Sequence, residues 1–191
     1  MRKLTYYIAT SIDGYIAAPD GTVDAFTVVG DHMSTIATDY PETLPKHVWP
    51  HFGVDAQATG TKFDTILMGR KTLQPALDVG LTNAYPHLRT IVFSRSLQLD
   101  DPTVTVTAED PVAVVADLKR EDGLGIWLCG GGTLASALVA EIDELIVKTY
   151  PVLLGAGIPM FVGGEYTPAE FEPTETKVHE NGVVFSRYRR R

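Results

Sequence analysis

Three short stretches carry residue types and spacings that suit the binding of phosphate. Gly130-Gly131-Gly132 lies between a wholly apolar run, Ile126-Trp127-Leu128-Cys129, and a good helix former, Thr133-Leu134-Ala135-Ser136-Ala137-Leu138-Val139. Glycine accepts positive φ and lets another molecule approach the backbone. A helix after such a turn aims its unpaired N–H groups and the positive end of its dipole back at it, which favours an anion. One glycine would read as a tight turn; three in a row favour an anion site. Gly69-Arg70-Lys71-Thr72 repeats the arrangement after a second apolar run, with two cations beside the glycine. Ser94-Arg95-Ser96 puts a hydroxyl and a guanidinium after a third. Arginine suits phosphate because its planar fork donates two parallel bonds.

The elements that must position these stretches follow from pattern. Leu4–Thr10 is rich in β-branched and aromatic residues and reads as the first strand. Two turn pairs, Asp13-Gly14 and Asp20-Gly21, bracket the apolar pair Tyr15-Ile16 and suit a loop that lays apolar atoms on a planar ligand. Asp31 to Tyr40 reads as a short helix capped by Asp31. Pro41, Pro45 and Pro50, with His47, Trp49 and His51 among them, read as a substrate lid with an aromatic lining. Pro50 between His47 and His51 argues against the regular helix that would align them on a metal. Phe63–Met68, Thr90–Phe93 and Val104–Val106 read as further strands, and the helical piece after Gly69 is expected to stop near Pro75. Pro111 to Arg120 has helical spacing, with Asp110 as cap and Pro111 in the first turn. Glu144 to Tyr150 reads as a strand, broken in its apolar character by Lys148, and Pro151 to Phe161 as a loop. Asn181-Gly182 joins two final strands, Phe171 to His179 and Val183 to Arg190, in a hairpin. Strands that alternate with helices imply an α/β fold with a mostly parallel sheet. Ligands then bind at the strands' carboxyl ends, where all three phosphate stretches fall.

The totals narrow the function classes. A chain of 191 residues suits one domain, 1–191. A net charge of −8 argues against a general nucleic-acid binder, and Arg187 to Arg191 reads as a solvated final strand. The single cysteine, Cys129, excludes an internal disulfide and a Cys-rich zinc site. The apolar start, Leu4 to Ile12, is too short to cross a bilayer, so the expected location is cytoplasmic with no membrane partner. The glycines do not match GxGxxG, no Walker lysine follows them, and no GxSxG elbow is present.

The ordered set Ser11-Ile12-Asp13-Gly14-Tyr15-Ile16-Ala17, Met68-Gly69-Arg70-Lys71-Thr72, Phe93-Ser94-Arg95 and Gly130-Gly131-Gly132-Thr133-Leu134 resembles the dihydrofolate reductase-like superfamily. It resembles most the branch holding the reductase domain of riboflavin biosynthesis, as does Ile142-Asp143-Glu144-Leu145 followed by Pro151-Val152-Leu153-Leu154-Gly155-Ala156-Gly157. The likeness spans residues 3 to 190 apart from 22–61. It implies a central mixed, mostly parallel sheet flanked by helices, with a C-terminal antiparallel hairpin. It also implies NADPH as cofactor, no metal, and hydride transfer to a pyrimidine or pteridine-like ring. The nearest named activity is 5-amino-6-(5-phosphoribosylamino)uracil reductase. By matched positions, Ala9, Ile16 and Ala17 would flank the nicotinamide. Gly69, Arg70, Lys71 and Thr72 would meet phosphate. Ser94 and Arg95 would hold the 2′-phosphate, and Gly130, Gly131, Gly132, Thr133 and Leu134 the pyrophosphate. A cis bond between Gly130 and Gly131 is implied as well. The first-helix carboxylate of true dihydrofolate reductases has no clean match, which leaves Asp13 and Asp24 as the candidate catalytic acids. The zinc deaminase often fused to this domain is missing. Relatives of the branch usually pair, and the last strands suggest an apolar sheet edge, so a homodimer is expected. A non-catalytic NADPH-binding or sensor protein, a dihydrofolate reductase and a purely structural dimer are the alternatives.

Overall fold

A computed structural model describes residues 1–191. Ten strands and four α-helices follow in the order β1 (Leu4–Thr10), β2 (Tyr15–Ala17), α1 (Asp31–Asp39), β3 (Phe63–Gly69), α2 (Arg70–Asp78), β4 (Arg89–Phe93), β5 (Val104–Thr107), α3 (Pro111–Arg120), β6 (Gly125–Gly130), α4 (Gly132–Ala137), β7 (Glu144–Thr149), β8 (Ile158–Pro159), β9 (Phe171–Val178) and β10 (Val184–Arg190). Eight strands form one sheet in the order β5-β4-β3-β6-β1-β7-β10-β9. The first six of that order run parallel, and β10 returns antiparallel to both β7 and β9. β2 and β8 pair in a small second sheet. The expected mixed, mostly parallel sheet with a terminal hairpin is therefore present.

Both faces of the parallel strands are covered, which is why their sequences are apolar throughout rather than alternating. Leu4, Tyr6, Leu67, Ile91, Ile126 and Leu128 face α3 and α4, where Val115, Leu118, Leu134 and Leu138 complete the cluster. The alternate residues Tyr7, Ile66, Met68, Val92, Trp127 and Ile146 pack on Leu73 of α2 and on Tyr40. A third cluster joins Met33 and Ile36 of α1 to Trp49, Tyr150, Val183 and Phe185.

Four local expectations are corrected. Asp31 does not cap α1: the cap position is Gly30, and the Asp31 carboxylate instead accepts from the Glu180 N–H and contacts His179 Nδ1, each at 3.1 Å. α2 runs through Pro75 to Asp78. Pro75 and Lys71, whose carbonyl loses its partner, are both exposed, so water replaces the missing bond. Residues 41–60 are not a lid lined with aromatics. They form two 3₁₀ turns, Pro41–Thr43 and Lys46–Phe52, and Trp49 is only 1 % exposed, donating its Nε1–H to Leu44 O at 2.9 Å. The outer strand β9 is mostly polar rather than apolar: Pro173, Thr174, Glu175, Thr176 and Lys177 fill its exposed run, with Val178 at its end.

The sheet's amino end is stitched by ions. Arg2, 7 % exposed, donates to Leu124 O at 2.7 Å and Thr65 Oγ1 at 2.7 Å and pairs with Asp64 and Glu121. Lys119 reaches Asp143 at 2.9 Å and Glu141 O at 2.7 Å.

Candidate functional site

Because β4, β3, β6 and β1 are consecutive in the sheet and parallel, the loops after them emerge side by side. Gly69 lies opposite Phe93, and Met68 opposite Gly130. The three phosphate-type stretches therefore share one rim, although about sixty residues of chain separate the first from the last.

The first and the last of them meet at Gly131. The Gly130–Gly131 peptide is cis, as the resemblance implied, and Gly130 has φ of 115°. A Cβ placed on Gly131 would lie 3.5 Å from Thr72 Oγ1 and 4.0 Å from Ile16 Cδ1. A Cβ on Gly132 would lie 2.4 Å from Pro159 O, so the segment that follows β8 rests directly on this glycine. Val162 N–H donates to Gly132 O at 3.1 Å, and the Tyr6 hydroxyl donates to Met160 O at 3.0 Å from beneath. The bare Gly131 leaves room beside Thr72 and Ile16, whereas the space at Gly132 is already taken by the segment from Pro159 to Val162.

The charged rim is open. Arg70, Lys71 and Arg95 are exposed. Arg70 Nη1 makes one long bond, 3.4 Å, to Ser96 Oγ, which ties the first rim loop to the second. Ser94 Oγ accepts from Ser96 N at 3.3 Å and Leu97 N at 3.0 Å, so it shapes the turn from which Arg95 projects. Thr133 is exposed at the start of α4, whereas Leu134 is 7 % exposed and belongs to the core, leaving only its backbone for a ligand. At the other side of the cradle, Ala9 is partly buried at the end of β1 and Ile16 is partly buried on β2. Ala17 is 6 % exposed and packs toward β8, with its carbonyl 2.3 Å from where a Gly157 Cβ would be.

The two candidate acids stand apart from this convergence in different ways. The Asp13 carboxylate accepts from Ser11 Oγ at 2.6 Å, Gly155 N at 2.7 Å and Leu154 N at 3.1 Å. The Ser11 hydroxyl first, then those N–H groups, hold its carboxyl below the usual carboxylate range. It clamps the turn before β2 to the loop before β8. Asp24 is exposed on the segment between β2 and α1, beside the exposed Val23 and ahead of Val28 and Val29.

Inside the rim lie groups that the motif reading passed over. Tyr7, Cys129 and Lys148 occupy three neighbouring strands on the same sheet face, with Lys148 Nζ 4.0 Å from the centre of the Tyr7 ring. Burial pushes the Cys129 thiol up to about 12 and the Lys148 ammonium down to about 8. The signal was available: Lys148 follows the apolar run Leu145-Ile146-Val147 and is two residues from Ile146, so its parity points it inward. His32, fully buried on α1, is neutral by construction. Its Nδ1 accepts from Asn181 Nδ2 at 2.8 Å while its Nε2–H donates to Thr27 O at 3.2 Å.

No group of three His, Cys, Asp or Glu side chains converges on a possible metal position, and His47 and His51 are both exposed. No helix is long and apolar enough to cross a membrane. A separate concavity of about 350 Å³ lies at the opposite, amino end of the sheet among Arg2, Lys62, Tyr40 and Arg187. Its cations Arg2, Lys3 and Arg187 already face carboxylates, and only Lys62 there has none.

The residues of that rim fit a phosphorylated dinucleotide on geometry alone: a side-chain-free cradle, two loops carrying uncommitted cations, and an apolar wall at Ile16. The profile of the RibD C-terminal domain matches residues 2–185. The chain is 32 % identical to the uncharacterized protein YwjB of Bacillus subtilis (strain 168) over 163 residues, 84 % of this chain and 83 % of that one. Among solved structures, a putative riboflavin biosynthesis protein from Shewanella sp. PV-4 superposes with a TM-score of 0.70 at 23 % identity, covering 100 % of this chain and 99 % of the other. The deaminase/5-amino-6-(5-phosphoribosylamino)uracil reductase of Thermotoga maritima gives 0.65 at 14 %, covering 100 % of this chain and 57 % of its own. The dihydrofolate reductase of Enterococcus faecalis, solved with NADP(H), gives 0.62 at 16 %, covering 98 % and 96 %. With the profile spanning nearly the whole chain and the sheet order in place, this protein belongs to the RibD C-terminal domain family, within the dihydrofolate reductase-like superfamily.

Proposed function

We propose that residues 1–191 act as one domain, an NADPH-dependent oxidoreductase of the cytoplasm that reduces a pyrimidine or pteridine-like ring. The nearest named activity is 5-amino-6-(5-phosphoribosylamino)uracil reductase. The observation that carries this reading is that Thr72, at the start of α2, and Ile16, on β2, both face the bare Gly131. When bound, the reduced nicotinamide supplies hydride to the substrate ring. The chain's own residues bind and orient. The backbone of Gly130 to Leu134 holds the pyrophosphate, with Thr133 at its open side. Gly69, Arg70, Lys71 and Thr72 meet a phosphate oxygen from the neighbouring loop. Arg95 takes the 2′-phosphate on the turn shaped by Ser94. Ala9 and Ile16 flank the nicotinamide with their side chains and Ala17 with its backbone. Asp13 sets the position of β2, and Asp24 is the remaining carboxylate to carry a proton. The relatives' pairing is carried over as a homodimer, and the polar β9 edge directs it to another surface. Sedimentation would then return twice 20.8 kDa.

A second reading, a non-catalytic NADPH-binding protein, is favoured by one observation: Asp13 is committed to three hydrogen bonds and has no freedom to deliver a proton. NADPH oxidation against a panel of pterins and aminopyrimidines separates the two. Turnover on any ring supports the reductase; binding without turnover supports the second reading; no NADPH binding at millimolar concentration overturns both. Arg95→Ala should weaken NADPH about tenfold and leave NADH unchanged. Equal losses for both would remove Arg95 from the 2′-phosphate.

A further inference from the structure

Every other lysine or arginine that is at least partly buried has a protein partner; Lys148 has none. Its Nζ donates no hydrogen bond and joins no ion pair, yet the residue is set between two strands, opposite Ala9 on β1 and Phe185 on β10. Its one contact of note is the face of Tyr7 at 4.0 Å. A cation over an aromatic face is attracted to it, and the residue is only partly buried, so the three donors of the ammonium are left to solvent or to a ligand.

Its neighbours define the surroundings of those donors. Tyr7 lies between Lys148 and Cys129, and Cys129 immediately precedes Gly130 at the cradle. Ala9, beside Lys148 in register, is partly buried and contributes only a methyl group. The Tyr7 hydroxyl is buried without a well-formed bond, with Thr43 beside it. The titratable groups around Nζ are Tyr7 from β1, Cys129 from β6, His32 from α1 and Tyr150 after β7. None is an anion: burial keeps the phenols and the thiol protonated and His32 neutral. Glu42, near Tyr7 on the first 3₁₀ turn, gives its Oε1 to Lys62 N and Phe63 N at 2.8 and 2.9 Å. Arg187 on β10 is turned to Glu175 and Tyr40.

We propose that Lys148 is the substrate-recognising residue: its ammonium, seated over Tyr7, takes the acceptor oxygen of a flat, oxo-substituted heterocycle held against Ala9. The inference rests on the reductase reading for which ring face meets the cofactor, but the subsite itself needs only Lys148 and Tyr7. It predicts that ring binding tracks the charge on Nζ, while cofactor binding does not.

The test uses 1,3-dimethyllumazine, a fluorescent dioxo ring with no ionisable proton, titrated without cofactor into the wild-type chain, Lys148→Met and Lys148→Gln. NADPH is titrated into the same proteins. Methionine fills the same volume with no charge to desolvate, so the variant keeps its fold; glutamine keeps one donor group. Lys148→Met should bind the ring at least tenfold more weakly, Lys148→Gln should fall between, and NADPH affinity should stay within twofold. Wild-type ring affinity should fall about tenfold between pH 7 and pH 10, as the ammonium, depressed to about 8 by burial, loses its proton. Both variants should be flat over that range. Equal ring binding by all three proteins, or none by the wild type at millimolar ring, overturns the assignment. If ring binding depends on Lys148 but NADPH does not bind, the subsite stands and the reductase reading falls.

Discussion

The two ends of the parallel sheet use the same residue types for opposite purposes. At the amino end, every buried cation is answered. Arg2 bridges Asp64, Thr65, Leu124 and Glu121, and Lys119 bridges Glu141 and Asp143. At the carboxyl end, Arg70, Lys71, Arg95 and Lys148 have between them one 3.4 Å bond, to Ser96. Paired charge joins the strands to one another; unpaired charge is left for something that the chain does not itself contain.

The comparison is broken most directly by removing one ion from the stitched end. Arg2→Met should cost about 3 kcal/mol, because it strands partly buried acceptors at Thr65 and Leu124 and a carboxylate at Asp64. Urea unfolding would show it, and NADPH affinity should not move. If affinity falls with stability, the two ends are not independent. Gly131→Val tests the opposite end. A Cβ there meets nothing closer than 3.5 Å, so the first carbon fits, and urea unfolding of the variant reports what the two methyls beyond it cost the fold. The branched methyls would occupy the cradle, and NADPH should bind at least tenfold more weakly, about 1.4 kcal/mol. Unchanged affinity would place the dinucleotide elsewhere. The smallest effect is acidic. Burial lowers the pKa of His32 and His87 below 6.5. The unfolded chain therefore takes up protons first as pH falls past about 6.5, and folding stability declines from there downward. It is fully present above that pH. His32→Gln, which cannot be charged, should flatten part of the slope in denaturation midpoints measured from pH 7.5 to 5; an unaltered slope would remove His32 as a contributor.

Much of this architecture was legible because local chemistry and burial agree. Leu4–Thr10, the Asp110-Pro111 start of α3 and the Asn181-Gly182 hairpin each carry a signal that no distant contact overrides, and the structure has all three. The rim of the site was legible for the same reason: glycines and cations at strand ends need no partner elsewhere to announce themselves. What was missed depends on long-range packing. Trp49 and its prolines look like a loop lining until Met33, Val183 and Phe185, from other parts of the chain, close over them. Asp31 looks like a cap because nothing nearby shows that His179 and Glu180 will compete for it. Lys148 looked like an interruption in a strand. Only the register with β1 shows that it stands over Tyr7.

The outer strand has a last implication. An open β edge is a template on which further chains can grow. Here one margin of the sheet is a four-residue strand, β5, and the other is β9, interrupted by Pro173 and a bulge at Arg187/Tyr188 and lined with Glu172, Glu175 and Lys177. Neither margin offers a long flat backbone for docking. The protein can therefore be concentrated without polymerising strand upon strand, and replacing Pro173, Glu172 and Glu175 by valine should convert it into a fibre former.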